Sequence, residues 1–93
     1  MQAHEFDLKL AAEGYTTVTP MERPVGYALD AHAHSFDACA LITRGDITLT
    51  VEGVAKNYAA GQVFLLPAGT LHHEHAGPVG VSYISGRREA AAT

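Results

Sequence analysis

From Tyr15 onward the chain is a succession of short runs rich in β-branched and aromatic residues, each cut off by glycine, proline or a polar turn. Such punctuation leaves no room for a long helix and assigns the backbone hydrogen bonds to strands. Extended runs are expected at residues 15–19, stopped by Pro20, and at 25–34, 38–43, 47–51, 54–58, 62–66 and 79–85. The run Ile47-Thr48-Leu49-Thr50-Val51 alternates apolar and polar residues, as a half-buried strand does. Glu52-Gly53 and Ala59-Ala60-Gly61 are turns between antiparallel neighbours, and Pro67 closes the run before it. Many short strands at regular spacing predict an all-β sandwich or small antiparallel β-barrel.

The first residues differ. Phe6 and Leu10 lie one helical turn apart, as do Leu8 and Ala12, and Glu5 and Asp7 stand early, where a helix dipole favours negative charge. Gly14 is a natural stop. A short helix at about residues 4–13 is therefore expected, within an N-terminal helical segment spanning 1–14. Residues 87–93 read as a frayed, flexible tail.

Ninety-three residues make one domain, spanning 1–93, near the small end of what folds alone. A core that small, with strand edges to cover, predicts a homodimer. A formal net charge of −4 with only six lysines and arginines argues against nucleic-acid binding. No apolar run is long enough to cross a membrane as a helix, and no signal-peptide pattern is seen. Cys39 is the single cysteine, so no internal disulfide can form. The expected location is cytoplasmic.

Of six histidines, all but His4 fall in two clusters, His32-Ala33-His34 and His72-His73-Glu74-His75. Imidazole is the commonest protein metal ligand. On a strand His32 and His34 share one face. A second strand carrying His72 completes a three-nitrogen face for one divalent metal. His73 and His75 alternate to the opposite face and are expected at the surface, as is His4.

The residues around the clusters carry a resemblance. Gly26, His32, His34 and Gly45 match the pattern G-x5-H-x-H-x3/4-E-x6-G, and Gly61, Pro67, Gly69 and His72 match G-x5-P-x-G-x2-H-x3-N. These are the two motifs of the cupin superfamily, and the chain resembles its small single-domain members. The resemblance implies a small antiparallel β-barrel of the jelly-roll kind holding one divalent transition metal, among iron, zinc, nickel, manganese and copper, on His32, His34 and His72. Two family positions depart: Ala38 stands where the glutamate ligand is expected and Ala76 where the asparagine is. Cupins related to thiol dioxygenases also lack the glutamate, and three histidines with water can hold a metal. Glu74, two positions beyond His72, is the first candidate for a substitute carboxylate; Asp37, beside the vacant position, is the second.

The readings of this site are a metal-dependent enzyme, dioxygenase-like or other, acting on a small molecule in the barrel, and a non-catalytic module that binds a small ligand or a metal. A polar histidine pocket without metal is the plainer alternative. Cys39 has the wrong parity to face Ala38's side and reads as a buried structural thiol. Tyr27, Phe36, Phe64 and Tyr83 are expected to line or plug the cavity. Arg87 and Arg88 read as a solvated pair. Only Arg44 lies within a motif, so no clamp for an anion is evident in the sequence.

Overall fold

The computed structural model describes residues 1–90. One helix, α1 (Ala3–Ala12), precedes six antiparallel strands: β1 (Thr17–Arg23), β2 (Ala28–His32), β3 (Phe36–Val51), β4 (Val54–Ala59), β5 (Val63–Leu66) and β6 (His72–Glu89). The spine is β3 and β6, which pair from Phe36–Glu89 at one end to Thr50–His73 at the other. Around their first pairing β1 joins β6 and β5 joins β3; around the second, β2 joins β6 and β4 joins β3. Each half is a four-stranded sheet, and the two halves close on one apolar core, giving a jelly-roll barrel, one of the two architectures expected from the strand spacing made specific by the resemblance.

The corner between the halves explains why β3 and β6 run on where turns were expected. At Gly45 the register jumps from Val81 to Ala76, so residues 77–80 are accommodated in a bulge. Gly45 has φ +71°, and a Cβ there would lie 2.1 Å from the Gly80 carbonyl oxygen. Only glycine permits that approach. The runs at 38–43 and 47–51 are thus two arms of one bent strand, and 79–85 is the middle of another.

Parity along β3 separates two cores. Ala38, Ala40 and Ile42 point into the barrel with Ile47, Leu49, Phe64, Leu66, Val81 and Tyr83. Cys39 and Leu41 point outward, where Phe6, Leu10 and Tyr15 cover them. The first arm of β3 is buried on both faces and reads as a continuous apolar run; the second is covered on one face and alternates. Cys39 is the buried thiol its parity predicted.

Helix α1 sits within one residue of its expected bounds. Gln2 N–H donates to the Glu5 carboxylate at its start. At its end Gly14 takes φ +81°, Gly14 N–H donates to Ala11 O and Tyr15 N–H to Leu10 O, a Schellman ending. Phe6 and Leu10 are its buried face, while Leu8 is 60% exposed.

Two further expectations are corrected. Pro20 does not stop a strand: it lies within β1 opposite Ile84, tolerated because among the described residues β1 pairs only with β6 and its other edge is free. Arg87–Glu89 are not part of a frayed tail; they finish β6 against Phe36–Ala38. Residues 91–93 of the expected tail lie outside the described residues.

Candidate metal centre

His72 opens β6 and is the cross-strand neighbour of His32, the last residue of β2. Between Leu29 and His32 the β2–β6 register slips by one residue. The slip turns both Leu29 and His32 inward, which strict alternation would forbid. His34 lies in the connection after β2, not on a strand. Its backbone is held by Gly69 N–H, which donates to His34 O at 2.9 Å from the turn before β6. His32 and His34 therefore meet by a bulge and a loop rather than by sharing a strand face. The ring centroids of His32 and His72 are 4.3 Å apart, and one ligand nitrogen from each of His32, His34 and His72 lies within 4.8 Å of the others. His73, His75 and His4 are exposed, as parity predicted for the first two.

Backbone carbonyls orient two of the three rings. His32 Nδ1 lies 2.8 Å from Asp30 O and His72 Nδ1 lies 2.9 Å from Thr70 O. A carbonyl can only accept, so each Nδ1 carries a proton, and in the neutral tautomer each Nε2 then keeps its lone pair, an assignment made from the network. Such backbone anchoring of the far nitrogen is how metal-ligating histidines are oriented. His72 Nε2 is fully buried and has no hydrogen-bond partner. A buried polar atom without a partner is costly. Glu74 Oε2, 3.4 Å away, is itself an acceptor. Two acceptors facing each other at the edge of an imidazole cluster form a donor set that a divalent metal fits. Burial, helped by His32 and His72, lowers the pKa of His34, which keeps that ring neutral as well.

Glu74 is inward on β6, opposite Leu49, and lines the same cavity. Its other oxygen accepts a hydrogen bond from the Tyr27 hydroxyl. Burial and that bond push the Tyr27 phenol far above its ordinary pKa, so it remains a donor. Asp37, the second carboxylate candidate, is placed elsewhere: it accepts from Ala68 N–H at 2.8 Å and from Arg88 at 3.0 Å. Ala38 contributes only a methyl group to the cavity wall.

Below and beside the histidines is a cavity of about 100 Å³. Tyr27, Phe36, Phe64 and Tyr83 line it, as expected of the aromatics, together with Met21, Leu29 and Leu66. Sequence reasoning missed two of its residues, Arg23 and Arg87. Both lie outside the histidine segments, and both are turned inward by the β1–β6 register, a pairing distant in sequence. Of the pair expected to be solvated, Arg87 is exposed, while Arg88, of opposite parity, is only partly so and is engaged by the protein. Arg88 bonds Asp37 and Glu13 O and lies over the Tyr15 ring, tying α1 to the barrel.

A bent double sheet closed around one core, with histidines gathered at one end of an inner cavity, defines a small double-stranded β-helix. No family model matches the sequence, and no curated protein matches it. Solved structures do. An RmlC-like cupin from Shewanella frigidimarina superposes with a TM-score of 0.66 at 24% identity, over 80% of this chain and 66% of that one. A conserved double-stranded β-helix protein from Klebsiella pneumoniae gives 0.67 at 18% identity, over 82% and 69%. KdgF from Halomonas gives 0.63 at 19% identity, over 75% and 67%. The chain spans about two thirds of the length of these structures. It has the fold of a small cupin domain.

Proposed function

We propose that this is a small metal-binding cupin in which His32, His34 and His72 hold one divalent transition metal above a cavity for a small molecule. The observation that carries the reading is the buried, unpartnered Nε2 of His72, within reach of two more imidazoles whose protons are directed away. Imidazole ligands suit iron, zinc, nickel and copper, and an added carboxylate would extend the set to manganese. When bound, such an ion supplies Lewis-acid or oxygen-activating chemistry to a molecule in the cavity. Around it the chain's own groups have distinct roles. Glu74 offers a fourth oxygen or a base, Tyr27 holds that carboxylate in place, and the aromatic lining excludes water. This arrangement supports the reading of a metal-dependent enzyme, dioxygenase-like or other, acting on a small molecule.

A second reading, a non-catalytic binding module on the same barrel, is favoured by one feature: Tyr27 already occupies one Glu74 oxygen. Elemental analysis of protein purified without added metal or an affinity tag tests the site. Stoichiometric metal supports it, and iron favours oxygen chemistry. Failure to take up any of the five ions on addition leaves a metal-free histidine pocket. Turnover of a bound molecule separates enzyme from module.

The homodimer expected from the small core is kept as part of this proposal. The free edge of β1 and exposed apolar residues such as Val18 and Leu65 support it. A monomer by light scattering at micromolar concentration would remove it. Among the described residues no helix is long and apolar enough to cross a membrane.

A further inference from the structure

Two arginines line the cavity, Arg87 at its exposed rim and Arg23 inside, where the Glu74 carboxylate also faces it. Arg23, at the end of β1, lies opposite Val81; Arg87 lies opposite Thr17 at the other end of the same pairing. Both line the space beneath the histidines. Among the described residues neither forms a salt bridge, whereas their neighbour Arg88 is fully engaged with Asp37. Each guanidinium lies over an aromatic ring, Arg23 at 4.9 Å from the Tyr27 centroid and Arg87 at 4.4 Å from that of Phe36. Stacking fixes the plane of a guanidinium and leaves its N–H edge free. Arg23 Nε is buried without a hydrogen-bond partner. Phe36 stacks in turn on His34 at 4.8 Å, which places the Arg87 charge beside the histidines.

A buried N–H with no acceptor is an expensive arrangement unless a ligand completes it. A planar carboxylate is the acceptor whose geometry a guanidinium edge matches, through two parallel N–H···O bonds. The cavity is too small for a bulky ligand and admits one of a few heavy atoms. We infer that the cavity takes a small organic acid, its negative charge balanced by Arg87 at the histidine end and by Arg23 beneath. This rests on the small-molecule reading above but does not require a metal to be bound.

The test uses full-length protein stripped of metal by a chelator. Acetate and succinate, with acetamide and succinamide as neutral counterparts, are titrated at millimolar concentration and followed by backbone amide shifts. Saturable binding of an acid, with its amide at least about tenfold weaker, is expected, since a charge-assisted pair is lost. Arg87→Gln at the exposed end and Arg23→Met inside should each weaken the acid by about tenfold or more. Arg87→Gln keeps the test decisive should Arg23→Met fail to fold. Amides binding as well as acids, no binding of either acid, or wild-type affinity in Arg87→Gln would each overturn the inference. Acid binding by a protein that takes up no metal would sink the metal reading alone; metal uptake without acid binding would sink this one alone.

Discussion

The Tyr27 hydroxyl donates a hydrogen bond to the Glu74 carboxylate across 47 positions of sequence, and the other Glu74 oxygen faces His72 Nε2 at 3.4 Å. The pair joins the loop before β2 to the second residue position beyond a candidate ligand. If Glu74 completes the ligand set, Tyr27 is the group that aims it. Glu74→Gln should then weaken zinc binding, and Tyr27→Phe should weaken it by about tenfold, the scale typical of outer-sphere partners. Competition against a chromogenic chelator measures both. Unchanged affinity in Glu74→Gln would remove Glu74 as a ligand and leave it a base or a bystander.

Metal removal should register in stability. A ligand that binds only the folded chain at a hundred times its Kd adds about 2.7 kcal/mol. For a domain of this size that is about 10 °C or more in Tm. Excess chelator should therefore lower the Tm of the metal-loaded protein by that amount. His34→Ala, at a half-buried ring in a loop, should abolish the chelator effect while leaving a folded protein by circular dichroism. A chelator response that survives in His34→Ala would place the metal elsewhere.

The strands were legible because one-sided burial writes alternation into residues 47–51 and two-sided burial writes a continuous apolar run into 38–42. Their lengths were not, because Gly45 and Gly80 look like turn residues and are instead the bend of two continuous strands. The histidine group was found through motif spacing, yet the alternation argument for His32 and His34 was incorrect in mechanism. A one-residue slip in β2 and a loop bring the rings together, and neither has a local sequence signal. Arg23 and Arg87 were invisible for a related reason. Which face they take depends on the β1–β6 register, a pairing between the two ends of the chain.

The corner gives a prediction with its own control. Gly45 and Gly53 both have positive φ, +71° and +78°, but a Cβ on Gly53 meets nothing within 4 Å. Gly53→Ala should cost only the left-handed backbone penalty, about 1–2 kcal/mol. Gly45→Ala adds a clash with the Gly80 carbonyl that neither strand can relieve without opening the bend. Its urea midpoint should fall well below that of Gly53→Ala. Equal midpoints would mean that the corner is not held by this approach.

Asp37 supplies the pH dependence. The Ala68 N–H and then the Arg88 guanidinium hold its carboxyl below the ordinary value of 3.8. A carboxyl with a depressed pKa in the folded state binds its proton less readily there than in the unfolded chain, so its ionised form favours folding. That contribution is complete above the unfolded value and is lost as pH falls through the lower folded value. Asp37 also anchors the Arg88 side chain that reaches Glu13 O and so ties the end of α1 to the barrel. Asp37→Asn should lower the urea midpoint at pH 7, and the gap from wild type should close as the pH drops below 3.8. A gap that stays constant across that range would show that Asp37 acts through shape and hydrogen bonding alone, without its charge.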